Sequence, residues 1–178
     1  MNRRQFLKFG LATAGSILLP WPAFAGLSDN KNRCLSLYNT HTGEHLRNLV
    51  YWEKGSYLED SLKRINHLLR DHRTGEVKTI DPNLLDLISA LHQRIPADSP
   101  FEIISGYRSP ATNRKLRKHS KGVAKNSLHM VGRAIDIRLP GCSLVNLRKA
   151  AASMKGGGVG YYPQSDFIHV DTGRVRYW

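Results

Sequence analysis

The stretch Ser127-Leu128-His129-Met130-Val131-Gly132-Arg133-Ala134-Ile135-Asp136-Ile137-Arg138 passes from a loop, through a glycine, into an alternating run. Alternation over 134–138 predicts a half-buried strand, with Ile135 and Ile137 on one face and Ala134, Asp136 and Arg138 on the other. The apolar pair belongs in a core, which leaves Asp136 facing a cleft. His129 lies just upstream, and Gly132 lets the chain curl tightly enough for both side chains to reach one point. A second run, Asp166-Phe167-Ile168-His169-Val170-Asp171, repeats the pattern: Ile168 and Val170 point inward, while Phe167, His169 and Asp171 share the other face. His169 can then meet His129 and Asp136 across the sheet. A lone histidine in a strand is more often structural, but two with an aspartate on cleft-facing positions point to metal. Two imidazoles and one carboxylate suit zinc with a fourth position left open, the arrangement of a catalytic rather than a structural site. Cobalt and manganese accept the same donors.

Outward from this centre the chain reads as scaffold. Residues 33–52 predict a β-hairpin around the polar turn Asn39-Thr40-His41-Thr42-Gly43-Glu44, with His41 and His45 as solvated turn residues. Leu58, Leu62, Ile65, Leu68 and Leu69 trace one face of an amphipathic helix. A second helix opens with Asp81 as N-cap and Pro82 in its first turn, and carries Leu84, Leu85, Ile88 and Leu91. Phe101-Glu102-Ile103-Ile104 predicts a short strand, 111–118 a basic helix, and Ser143 the cap of a further helix. The glycine-rich 156–162 run and 167–171 predict an antiparallel pair. The expected fold is a single α+β domain, N-terminal helices packed on an antiparallel sheet that carries the zinc cleft.

The N-terminus predicts where this chemistry happens. Residues 1–25 hold the pair Arg3-Arg4, a mildly apolar stretch from Phe9 to Leu19, and Ala23-Phe24-Ala25 as a small-residue cleavage site. That is a twin-arginine signal peptide, too short in its apolar part to span a bilayer stably. The expected protein is therefore periplasmic, with residues 26–178 as its one domain and no stable membrane anchor after cleavage. Removal takes away three basic and no acidic side chains, so the formal charge falls from +13 to +10. A basic chain suits a polyanion. Export argues against nucleic acid and leaves lipid head groups and the free carboxylates of wall peptides. The two cysteines, Cys34 and Cys142, form no Cys-x-x-Cys pair, so neither a cysteine zinc site nor a redox motif is expected; a disulfide is left open.

Hydrolysis by such a site also needs a base and a positive group for the developing oxyanion. Asp166 and Asp171 are the carboxylates near His169, and Arg108, ending the segment Ser105-Gly106-Tyr107-Arg108-Ser109, is the cation. Alternation puts Asp171 on the face of His169 and Asp166 on the opposite face, unless a turn at 165–167 brings Asp166 round.

Ser127-x-His129-x-x-Gly132-x-Ala134-x-Asp136 resembles the signature of the D-Ala-D-Ala metallopeptidases, the superfamily that includes lysostaphin-like and hedgehog-like zinc domains. The segment 105–109 is similar to that superfamily's substrate-positioning arginine motif. The match is closer still to twin-arginine-exported murein endopeptidases of the MepK kind, and runs from the 39–44 turn through Arg70-Asp71-His72-Arg73 to residues 157–162. The resemblance implies His129, Asp136 and His169 as zinc ligands and Arg108, Tyr107 and Ser127 on the substrate. It implies a base three residues before the last histidine, which is Asp166 here; Asp166 is then the expected base and Asp171 the expected partner of a ligand histidine. It implies peptidoglycan as substrate, through hydrolysis of diaminopimelate–diaminopimelate cross-links; a monomer is the expected state. A D,D- or L,D-carboxypeptidase, and a zinc-containing wall-binding module without turnover, are the alternatives.

Overall fold

The alternating segments assemble into one eight-stranded sheet in a computed structural model that describes residues 32–120 and 122–178. The expected signal peptide, residues 1–25, lies outside the described residues. The N-terminal hairpin is β1 (Arg33–Asn39) and β2 (His45–Glu53), bordered by the two-residue β3 (Ser56–Tyr57). Then come α1 (Glu59–Leu68), α2 (Pro82–Gln93), β4 (Phe101–Ser105), α3 (Pro110–His119) and a 3-10 turn at Leu128–Val131. The chain closes with β5 (Ala134–Arg138), α4 (Leu144–Ser153), β6 (Gly158–Tyr162), a second 3-10 turn at Pro163–Ser165, β7 (Phe167–Asp171) and β8 (Arg176–Tyr177).

The strand order is β3-β2-β1-β4-β5-β7-β6-β8. The α+β reading holds, but the sheet is mixed rather than antiparallel, because β1 runs parallel to β4 and β6 parallel to β8. The reason lies in the connections. A hairpin joins antiparallel neighbours, whereas the β1–β4 link spans β2, β3 and both helices and returns the chain in its original direction. Two-residue β8 likewise leaves β7 and comes back on the far side of β6. Among the described residues no helix is long and apolar enough to cross a membrane.

Both predicted helices bury the faces their spacing marks. Ile65 and Leu68 of α1, and Leu84, Leu85, Leu87, Ile88 and Leu91 of α2, join Leu35 and Leu37 of β1 and Phe101 and Ile103 of β4 in one core. Each such side chain contributes about 1.5–3 kcal/mol of gross burial. The Asp81 carboxylate caps α2 by accepting from the Asn83 amide at 3.0 Å. Buried Asp86 on α2 accepts from the hydroxyls of Tyr51 (2.9 Å) and Tyr57 (2.8 Å) and from Arg33 (2.8 Å), which ties the helix to the hairpin. His41 is exposed, as expected of a turn residue, yet its ring stacks on His72 at 3.8 Å. Cys34 and Cys142 are free thiols.

Asp71, buried just after α1, couples this scaffold to the Arg108 segment. Its carboxylate accepts from the Arg73 amide (2.9 Å) and, across the chain, from the Ser109 amide (2.8 Å). Ser109 is the N-cap of α3 and the residue after Arg108. Burial opposes the charge on Asp71, but its hydrogen bonds with Thr112, Ser109 and Arg73 outweigh that and hold its pKa down at about 2. A carboxylate depressed in the folded state contributes stability that is full above its ordinary value near 4 and is lost as pH falls through about 2. Asp71→Asn should therefore cost about 1–3 kcal/mol at neutral pH. In urea titrations the gap between wild type and variant should close as pH drops from about 4 to about 2. A gap independent of pH in that window would show that the charge of Asp71 is not what holds the 105–109 segment.

Candidate metal centre and active-site cleft

Three elements deliver the central side chains. The 3-10 turn Leu128–Val131 carries His129 and ends at Gly132, whose φ of +68° is left-handed. A side chain at Gly132 would strike the Thr79 carbonyl, so only glycine lets the turn abut the segment that leads into α2. Asp136 is the middle residue of β5, and its Cα partner in the antiparallel β5–β7 ladder is His169. Directly opposed residues on one face of a sheet have neighbouring side chains, so this register alone brings carboxylate and imidazole together.

The three ligand-type atoms form a tight triangle. His169 Nδ1 and Asp136 Oδ1 are 2.8 Å apart, and His129 Nε2 lies 3.2 Å from each of them. Bonds of about 2.0–2.1 Å to a tetrahedral ion would set these edges at ~3.3 Å, close to the two 3.2 Å edges from His129 and wider than the 2.8 Å edge between His169 and Asp136. The back of each ring is held. His129 Nδ1 donates to the Gly106 carbonyl at 2.7 Å, and His169 Nε2 donates to Asp171 at 3.0 Å. His129 Nε2 therefore faces the centre as a bare lone pair. Burial lowers the pKa of His129 despite the opposing pull of Asp136, and keeps that ring neutral. Burial also opposes charge on His169, but hydrogen bonds to Asp136 and Asp171 outweigh it and push its pKa up to about 9. Without an ion, hydrogen bonds to Asp136 and Asp171 favour the protonated ring of His169. A cation at the centre satisfies all three donor atoms at once, and its binding at neutral pH expels a proton. The residues fit a divalent metal.

Around the triangle lies a cleft of about 460 Å³. Arg108 reaches into it, with Nη2 3.4 Å from Asp136 Oδ2 and 3.4 Å from Ser105 Oγ, and with its buried Nε unpartnered. The Arg108 amide donates to the His129 carbonyl, so the 105–109 segment and the histidine turn are bound to each other twice. Ser127 also lines the cleft.

Other expected site residues stand elsewhere. Tyr107 is buried in the core and does not line the cleft, because alternation past β4 turns it to the face opposite Arg108. Asp166 sits in the left-handed conformation (φ +51°) after the Pro163–Ser165 turn, and its carboxylate pairs with Arg138 at 3.1 Å. That turn does redirect Asp166, but outward: its side chain is 65 % exposed and forms no part of the cleft lining, so it is not placed as a base. Asp171 is not placed as one either. Wholly buried, it accepts from His169, from both terminal nitrogens of Arg176 (3.0 and 2.6 Å) and from the amides of Gly158 (3.1 Å) and Gly173 (2.8 Å). Burial alone would raise its pKa, but these partners hold it well below the carboxylate range. It orients His169.

One wall was not anticipated from the sequence. Trp178 lies with its ring 5.4 Å from that of His169, and its indole donates to the Tyr162 hydroxyl at 2.8 Å. Tyr162 in turn stacks on Phe167 at 4.7 Å. A Cβ at Gly160 would collide with the Trp178 ring, so this glycine is what seats the indole against the sheet. A glycine inside a strand pattern signals such a close approach, and Gly160 was the available clue.

Comparison with known proteins bears on this arrangement. Residues 27–178 match the model of peptidase family M15_2, described as Peptidoglycan L,D-endopeptidase MepK. The chain is 46% identical over 177 residues to the peptidoglycan L,D-endopeptidase MepK of Escherichia coli K12, covering 99% of this chain and 97% of that one. It is 42% identical over 178 residues to the probable peptidoglycan L,D-endopeptidase MepK of Haemophilus influenzae, covering 99% and 95%. Among solved structures, the L-Ala D-Glu endopeptidase ChiX of Serratia marcescens gives a TM-score of 0.35 at 19% identity, over 43% of this chain and 62% of that one.

The support from Asp171 has a measurable consequence. Asp171→Asn keeps the shape but weakens the hold on His169 Nε2, and zinc affinity measured by competition with a chromogenic chelator should fall about 10–100-fold. Unchanged affinity in a folded variant would detach Asp171 from the metal centre.

Proposed function

We propose, from the premise that this chain belongs to the Peptidoglycan L,D-endopeptidase MepK family of M15 peptidases, that it is a zinc-dependent murein endopeptidase acting on diaminopimelate–diaminopimelate cross-links. The observation that carries this reading is the convergence of His129, Asp136 and His169 on one point at the floor of an open cleft, with Arg108 beside it. His129, Asp136 and His169 would hold the ion. Once bound, zinc supplies Lewis acidity, which lowers the pKa of water towards neutrality and polarises a carbonyl.

The remaining chemistry belongs to the chain. Asp136 would use one oxygen for the metal and turns the other to Arg108 Nη2, which holds the guanidinium at the edge of the cleft. A guanidinium so placed would stabilise negative charge growing on the scissile carbonyl oxygen. Asp171 fixes the ring of His169, and the Gly106 carbonyl fixes that of His129. Tyr162 accepts a hydrogen bond from Trp178, which directs its own O–H away from the indole, and this cleft hydroxyl would hydrogen-bond the substrate. Ser127, at the mouth of the cleft, would contact the substrate.

Around this domain, residues 1–25 would direct twin-arginine export to the periplasm, residues 26–178 would act there as a monomer, and no membrane anchor would remain after cleavage.

Mass spectrometry of cross-linked dimeric muropeptides incubated with the 26–178 chain tests the reading. Monomers should appear with zinc and not in excess chelator, and the dimer consumed names the bond. Loss of a terminal D-Ala alone, or full activity in chelator, would overturn it. Arg108→Ala should lower kcat by about 10²–10³-fold if the guanidinium serves the oxyanion.

A further inference from the structure

Between Glu102 and Asp136 the chain contains eight Lys or Arg and no acidic residue. Five of these cations, Arg114, Lys115, Arg117, Lys118 and Lys125, are exposed on α3 and the loop after it. Among the described residues none of the five has a carboxylate within ion-pair distance, although Arg33, Arg70, Arg108, Arg133, Arg138 and Arg176 all do. The helix dipole accounts for part of the pattern, because Arg117 and Lys118 fall in the last turn of α3, where cations are favourable. It does not account for Arg114, Lys115 or Lys125. On a helix, Arg114 faces Arg117 and Lys118 at i+3 and i+4, and Lys115 faces Lys118 at i+3, all like-charge pairs that weaken a ten-residue helix. Uncompensated repulsion on a short helix is a feature of a surface whose counter-charge comes from outside.

That surface adjoins the cleft. Buried Asn113 on α3 donates to the carbonyls of Ala124 (3.1 Å) and Lys125 (3.4 Å), and so fastens the loop to the helix. Ser120 and residues 122–124, 126 and 127 of the same loop line the cleft together with the aromatic residues Tyr162, Phe167 and Trp178. The helix and the described part of the loop at the cleft margin are therefore tied together by hydrogen bonds, and the helix is fastened through its Ser109 cap to Asp71. We propose that Arg114, Lys115, Arg117, Lys118 and Lys125 form a docking surface for the free carboxylates of stem peptides adjoining the cross-link in the cleft. The proposal rests on peptidoglycan as the substrate. It assigns to α3 the retention of the enzyme on the polymer, and leaves bond cleavage to the metal centre. Attraction between exposed charges is screened beyond about 8 Å at physiological ionic strength, so docking is salt-sensitive where chemistry is not.

The test uses the 26–178 chain and a variant in which Arg114, Lys115, Arg117 and Lys118 are all changed to Gln. Removing the like-charge pairs should leave the thermal midpoint unchanged or raised, which guards against a folding artefact. Brief cosedimentation on ice with purified sacculi should show at least tenfold weaker binding by the variant. Wild-type binding should fall to the same level in high salt or on sacculi whose carboxylates have been amidated. Turnover of a soluble dimeric muropeptide should stay within twofold of wild type. Equal binding of both proteins to sacculi would overturn the proposal, and so would wild-type binding that survives amidation. Stronger α3-dependent binding to phosphatidylglycerol vesicles than to sacculi would also overturn it, assigning the surface to a membrane. Absence of turnover by both proteins, with α3-dependent and amidation-sensitive binding intact, would sink the endopeptidase reading while supporting the docking surface.

Discussion

Asp136 stands directly across from His169 in the β5–β7 ladder, and the rest of the site depends on that register. Side chains alternate with a period of two, so a slip of one residue would carry Asp136 into the core and bring Ile135 or Ile137 to the cleft. The buried isoleucines prevent this. Ile135, Ile137, Ile168 and Val170 are all fully or almost fully removed from water, and moving them to the wet face would cost several kcal/mol of burial. The hydrophobic core thus positions two polar side chains on the opposite face of the sheet.

Holding a histidine pair and a carboxylate together inside a protein is expensive unless every remaining polar atom has a partner. The partners here come from across the chain. Gly106 offers its carbonyl to His129, and Asp171 accepts from His169 while Arg176 and two backbone amides share its charge. Behind these, Asp71 fastens the cap of α3 and with it the Arg108 segment. The atoms left open all face one point, which is where an ion satisfies them. That geometry, in a member of the M15_2 family, is what a metal-dependent peptidase requires.

Much of this was legible in the sequence. Strand 134–138 and the 167–171 strand appear with the faces their alternation assigned, and Asp81 caps α2 as its type and position suggested. Failures cluster where local pattern yields to packing. Strand alternation correctly doubted that Asp166 shares a face with His169, but the left-handed residue that ends the 3-10 turn sends it to Arg138, a partner invisible in one dimension. Tyr107 sits beside Arg108 in a motif, yet neighbours in an extended segment point to opposite sides, and the core claimed the ring. Trp178 escaped notice because its place beside His169 is set by Gly160 and Tyr162, contacts made across the sheet rather than along the chain. The sheet is mixed because strand order depends on crossovers, and hydropathy does not encode crossovers.

From the sequence alone came the identity of the residues able to bind a metal, the elements that carry them, and the sign of the protein's charge. Those rest on side-chain chemistry and on periodicities of 2 and 3.6, which are local properties. Tertiary structure decided which carboxylates are free and which are spent. Asp171 has its charge consumed by Arg176 and His169, and Asp166 has been drawn off by Arg138, whereas Asp136 alone is left facing both histidines. A carboxylate's role depends on the partners within hydrogen-bond reach, and only the folded chain determines those.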